Sequence, residues 1–188
     1  MEKYKNKYRI PSARLQSWDY AWAGAYFLTV CTQNREHYFG NIMGGKMQMS
    51  EIGIIADILW YEIKNHAKNV ELGQFIVMPN HIHGILILNG GTNNNGDVET
   101  RHALSLPPPG THGHKRFQNQ GKNTISSIIG SYKSAVTKHA HRLGFDFKWQ
   151  SRFYDHIIRD EESFSKISQY IINNPNNWVD DRFYELGR

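Results

Sequence analysis

Three observations predict an α+β chain built on one antiparallel sheet. Four short stretches (residues 26–32, 74–78, 81–88 and 155–159) are rich in β-branched, aromatic or aliphatic residues and read as strands. Between them, apolar residues recur at helical spacing at Ile54, Ile55, Ile58 and Leu59 and again at Ile125, Ile128, Ile129, Tyr132 and Val136. The resulting order is strand, helix, strand, strand, helix, strand, followed by one more helix. That order is what a ferredoxin-like, split βαβ antiparallel sheet requires, with an appended C-terminal helix carrying Tyr170. The fold hosts many activities and selects none.

The 188 residues suit a single domain spanning 1–188. A basic arm comes first, over residues 1–20, with Lys3, Lys5, Lys7, Arg9 and Arg14 against Glu2 in its first sixteen positions. The first strand follows at 26–32, and 40–45, with three glycines, is a turn region. Ser50-Glu51 supplies an N-cap and an acidic first turn for a helix of roughly four turns whose stripe is Ile54, Ile55, Ile58, Leu59 and Ile63. Pro79-Asn80 separates the strand at 74–78 from the one at 81–88, which is apolar on both faces in its second half, as a central strand would be. Residues 89–122 hold Gly90-Gly91, three asparagines from Asn93 and three prolines from Pro107, without any period; they read as a mobile loop or insertion, not a second domain. The next helix carries Lys133 and Lys138. Asp160 then caps a final helix that runs to about Asn173, and Pro175 ends it because the residue before a proline is pushed out of the helical region.

Composition narrows the function. The 22 Lys and Arg exceed the 17 Asp and Glu, for a formal charge of +5, and the cations are segregated. Residues 101–142 contain seven of them and no acid. Clustered cations of this kind favour a polyanionic partner through counterion release. The longest uninterrupted aliphatic run is the four residues 85–88, far below the ~20 that span a bilayer, so no membrane association is expected. The basic start lacks the apolar stretch of a secretory signal, and the lone Cys31 supports neither a disulfide framework nor a cysteine-rich zinc site; a cytoplasmic location is the expectation.

Chemistry concentrates at two places. His81 and His83 alternate with Ile82 on a strand, so both imidazoles project from one face roughly 7 Å apart along the chain and can share a metal ion. On the last helix Tyr170 and Asn174 are one turn apart, beside an apolar stripe of Phe164, Ile167 and Ile171 that can dock on a sheet. Each pattern alone is ordinary. Together, a phenol, an amide oxygen and two imidazoles suffice for metal-assisted attack of tyrosine on a phosphodiester. His81, His83 and Asn174 would hold a divalent cation, Mg²⁺ or Mn²⁺, and Tyr170 would be the nucleophile. Two alternatives stay open. A small-molecule metalloenzyme on a cupin-like barrel also uses H-x-H, but residues 84–88 offer no glutamate ligand. A non-catalytic hairpin-binding protein would share the fold without the reaction.

The sequence resembles a known family at these residues. The stretches Met78-Pro-Asn-His81-Ile-His83-Gly84 and Tyr170-Ile-Ile-Asn-Asn174-Pro175 are similar to the histidine-hydrophobe-histidine and tyrosine motifs of single-tyrosine HUH transposases, and most of all to the REP-associated tyrosine transposases. Residues 26–35, 131–137 and 149–161 extend the resemblance over most of the chain outside 89–122. It implies a nuclease and strand transferase that cuts and rejoins single-stranded DNA beside short hairpins, leaving a 5′-phosphotyrosine on Tyr170 and a free 3′-hydroxyl. His81 and His83 are then metal ligands, and Asn174 stands where the REP-associated branch also has asparagine. The partner would be single-stranded or hairpin DNA and the protein a monomer or a homodimer. Arg9, Arg14, Lys133, Arg152 and Arg159 are the expected phosphate donors, and Trp149, Phe153 and Tyr154 either stack on bases or pack in the core. His156 lies just before the tyrosine helix, where approach to the phosphate and burial are both open; His102, His112 and His114 fill the long loop.

Overall fold

The computed structural model describes residues 3–4, 7–8, 23–89 and 124–184. Arg9 and Arg14 of the basic arm, the bulk of the 89–122 stretch, and His102, His112 and His114 lie outside the described residues. At the N-terminus β1 (Lys3–Tyr4) pairs with β2 (Lys7–Tyr8). The central sheet comprises β3 (Gly24–Cys31), β6 (Val70–Met78), β7 (His81–Leu88) and β8 (Tyr154–Ile158). Its order is β6-β7-β3-β8, antiparallel throughout, which is the ferredoxin-like arrangement the element order predicts. A hairpin of β4 (Gly40–Met43) and β5 (Lys46–Met49) occupies the expected turn region, so the glycines there end and begin strands as well as turn the chain. Gly44 and Gly45 make the reversal with φ of 57° and 71°, values that suit glycine.

Helices cover both faces of the sheet. On one face lie α1 (Glu51–Tyr61), the short α2 (Ile63–His66) and α3 (Ile125–Arg142). Ser50 caps α1 by accepting from the Gly53 amide at 3.1 Å, and Thr124 with Ser127 forms a capping box on α3. Tyr26, Leu28 and Val30 of β3 meet Ile82 and Leu86 of β7 beneath these helices, and the Tyr132 hydroxyl donates to the Ala56 carbonyl at 2.9 Å. On the other face α4 (Glu161–Asn173) begins at Asp160, whose carboxylate accepts from the Ser163 amide at 2.7 Å. Its stripe of Phe164, Ile167 and Ile171 packs on Ala25, Phe27, Ile85 and Ile158, as the spacing predicts.

The buried stripe of α1 differs from the sequence expectation. Ile63 is buried and Ile55 and Leu59 pack against the core as expected, but Ile54 and Ile58 are 49% and 55% exposed, and the core takes Ile52, Ala56 and Trp60 as well. Apolar residues surround this helix almost completely, so periodicity alone does not choose a side. Gly53 does: a Cβ there would lie 2.2 Å from the Phe39 carbonyl oxygen, so this side of α1 must face the chain. Trp60 stacks on Phe75 at 4.4 Å over Gly84, where a Cβ would fall 2.3 Å from the indole. The glycine that follows the histidine pair therefore makes room for the core on the opposite face.

Candidate functional site

Alternation along β7 sends Ile82 and Gly84 under α1 and His81 and His83 to the α4 face. Both histidines are fully buried, and their rings lie 4.5 Å apart. Their orientations are fixed at Nδ1. Asn80 donates its amide N–H to the Phe183 carbonyl at 2.9 Å, so its Oδ1 is left to accept from His81 Nδ1 at 2.8 Å. His83 Nδ1 lies 2.9 Å from the Thr29 hydroxyl, and the Leu28 backbone is a further hydrogen-bond partner of the ring. In this tautomer both Nε2 lone pairs face the space under α4, the arrangement by which second-shell groups orient histidine ligands. Burial holds both imidazoles neutral: His81 is lowered well below its ordinary range, and His83 is lowered to about 4 by burial, against the opposing charge of Asp181.

Tyr170 reaches this pair from α4. Its hydroxyl lies 3.3 Å from His83 Nε2 and 3.3 Å from Asp181 Oδ2, in the same chain. Asn174, one turn on and buried, donates to Asp181 Oδ2 at 3.1 Å. Burial first, and the Asp181 charge second, raise the Tyr170 phenol above its ordinary value. Asp181 was not among the sequence candidates. It belongs to the tail beyond Pro175, where a 3-10 turn (Trp178–Asp180) and the burial of Trp178 and Phe183 bring it back over the site. The Phe183 ring packs on His81 at 4.7 Å, and its amide donates to Asp181 Oδ1 at 2.7 Å. Two buried aromatics after a helix-ending proline were the available sign that this tail is packed.

One ligand atom each from His81, His83 and Asp181 lies within 4.8 Å of the others. His81 Nε2 and Asn174 Oδ1 are buried without a hydrogen-bond partner, an arrangement that otherwise costs stability. Neutral imidazoles, a carboxylate and an amide oxygen make a donor set that fits a divalent cation. The remaining candidates are placed elsewhere. Lys133 is half-buried on α3, with its ammonium on the Gln150 and Ser151 carbonyls, and Arg152 and Arg159 stand exposed near the two ends of β8. Trp149 and Phe153 pack against the core, whereas Tyr154 is 47% exposed. His156 is exposed.

Comparison with known proteins shows the fold. The structure matches a REP-associated tyrosine transposase solved bound to a REP hairpin, with a TM-score of 0.57 at 20% identity over 91% of this chain and 77% of that one. The protein thus shares the fold of that transposase. No family model matches the sequence. An uncharacterized protein of Haemophilus influenzae is 35% identical over 175 residues, 92% of either chain, and the chain belongs to one family with it.

Proposed function

We propose that the protein is a metal-dependent endonuclease and strand transferase for hairpin-flanked single-stranded DNA, acting through a phosphotyrosine on Tyr170. The observation that carries this reading is the Tyr170 hydroxyl 3.3 Å from His83 Nε2, above two buried neutral imidazoles. The hairpin-bound transposase that shares the fold supports the choice of DNA. His81, His83 and Asp181, with the Asn174 amide oxygen beside them, would hold Mg²⁺ or Mn²⁺. Such a cation supplies polarisation of a non-bridging phosphate oxygen and neutralises the Asp181 carboxylate.

The chain's own groups do the rest. Asn80 fixes the His81 tautomer, Thr29 holds the His83 ring in place, and Phe27 sets the Tyr170 ring edge-on at 6.1 Å. The Tyr170 oxygen attacks phosphorus as its proton passes along the hydrogen bond to Asp181 Oδ2, the bond to the departing 3′-oxygen breaks, and that oxygen takes up a proton from solvent water. A 5′-phosphotyrosine and a free 3′-hydroxyl result. A phenol whose unperturbed pKa is ~10 is a serviceable leaving group, so a 3′-hydroxyl can reseal the strand without an energy source. The 3.3 Å approach of Tyr170 to His83 of its own chain supports action in cis.

Incubation of wild-type and Tyr170→Phe proteins with labelled hairpin-flanked single strands and Mn²⁺ tests this directly. Wild type should yield a protein-linked product on a denaturing gel, and the phenylalanine variant, equally folded, should yield none. Binding of the strands without any adduct from wild type would instead identify a non-catalytic hairpin-binding protein.

A further inference from the structure

Helix α1 has the composition of a buried helix and buries only part of its surface. From Glu51 to Tyr61 only Glu51 and Asp57 are charged, and every other residue is apolar or glycine. A helix apolar on all sides normally lies inside a protein. Here Ile52, Ala56 and Trp60 face the core, while Ile54, Ile58 and Tyr61, the last 52% exposed, project outward. Their spacing of four and three sets them in one row on the helix surface. Single exposed apolar residues are ordinary, but a row of three large ones marks a contact surface. Gly53, closed against the Phe39 carbonyl, and Trp60, stacked on Phe75, prevent α1 from turning to bury the row.

A cavity adjoins this surface. Leu59, Ile63, Ile128 and Tyr132 wall about 280 Å³ between α1, α2 and α3, and Glu62 and His66 stand at its edge. That is room for one large apolar side chain, the usual anchor of a helix laid in a groove. The charge of the surface selects its partner. Glu51, Asp57 and Glu62 each lie three or four positions from a member of the row and so neighbour it. Residues 50–62 contain no Lys or Arg, and none lines the cavity. Among the described residues none of the three carboxylates is in an ion pair; Glu62 accepts only from the Asn65 amide, at 2.8 Å. Burial raises the Asp57 carboxyl above its ordinary value, and a cation beside it would offset that. Within a chain of net charge +5, such a surface disfavours phosphate and complements one that is basic and apolar. It lies on the opposite side of the sheet from His81 and His83, so an occupant leaves the imidazole pair open.

We propose that α1 docks a basic amphipathic helix of a partner protein. The apolar stripe of that helix lies on Ile54, Ile58 and Tyr61, one large side chain fills the cavity, and its Lys or Arg residues stand beside Glu51, Asp57 and Glu62. The probes are two fluorescein-labelled synthetic amphipathic helices, one of leucine and lysine and one of leucine and glutamate, titrated with the full chain and read by anisotropy. The leucine–lysine helix should bind, and the leucine–glutamate helix should bind at least about tenfold more weakly. Ile54→Ser/Ile58→Ser changes only exposed positions, and thermal melting checks its fold; it should bind the leucine–lysine helix about tenfold more weakly than wild type. Glu51→Gln/Glu62→Gln keeps the apolar row and should weaken binding about threefold, with a flatter dependence on salt. No binding, equal binding of the two helices, or binding that either double variant leaves unchanged overturns the proposal. Sedimentation of the wild type alone is the last arm: a dimer that Ile54→Ser/Ile58→Ser converts to monomers makes a second copy the occupant and overturns it too.

Discussion

On one face of β7, Ile82, Gly84 and Leu86 lie under Trp60 and the α1 and α3 helices, where the surroundings are apolar apart from the Trp60 indole nitrogen, which is buried without a hydrogen-bond partner. On the other, two residues of the same strand bury imidazoles, and His81 Nε2 and Asn174 Oδ1 are both buried without a hydrogen-bond partner. The backbone is shared and the burial is alike; the difference is that the histidine face gathers its buried polar groups at one place, where ligand atoms of His81, His83 and Asp181 lie within 4.8 Å of one another. An unpaired buried polar atom disfavours folding, so the site face is maintained against its own cost and the apolar face offsets that cost. On this strand the polar site is confined to His81 and His83, while Ile85 on the same face packs under α4.

That division is most directly broken from the apolar side. Trp60→Ala should remove about 3–5 kcal/mol, read by urea unfolding, because it empties the space over Gly84 and beside Phe75. A loss below about 1 kcal/mol would mean that the α1 face contributes far less than its packing implies.

The site face should respond to acid. The folded pKa of His83 is about 4, against an ordinary value of 6.5, so the unfolded chain binds more protons between those limits. Stability should therefore be fully present above pH 6.5 and fall as pH drops toward 4, by on the order of 3 kcal/mol from this residue. The quantity to measure is the difference in unfolding free energy between wild type and His83→Gln across that window. A difference that stays constant with pH rejects the assignment of a buried neutral imidazole.

Cation binding sharpens the contrast next. Mn²⁺ at a hundred times its dissociation constant should stabilise wild type by about 2.7 kcal/mol, whereas His83→Gln should stay folded and gain nothing. Thermal melting with and without EDTA reads both. An equal Mn²⁺ response in the variant places the cation elsewhere.

The smallest effect concerns the phenol. Asp181 raises Tyr170 through its charge and its hydrogen bond, so Asp181→Asn should lower the Tyr170 pKa toward its ordinary value of 10. Ultraviolet titration of tyrosinate in the two proteins measures the change, with Tyr170→Phe as the blank. A rise would assign the carboxylate a different role.

Much of this was legible in the chain. The strand and helix order, the Ser50 and Asp160 caps and the docking stripe of α4 follow from local rules, since capping and periodicity depend on residues a few positions apart. The shared face of His81 and His83 is equally local. The buried side of α1 was not legible, because Ile54 and Ile58 satisfy the helical period as well as Ile52 and Ala56 do. Neither was the hairpin at 40–49, whose strands present an exposed, mixed surface.

The sequence by itself determined the sheet's element order and put two imidazoles on one strand face and a tyrosine with an asparagine on one helix face, because those relations are fixed by backbone geometry within single elements. Tertiary structure alone decided that Tyr170 meets His83, that Asp181 returns to join them and that Gly84 serves Trp60. These contacts join residues far apart in sequence through the docking of apolar surfaces, and no local period records which surface meets which.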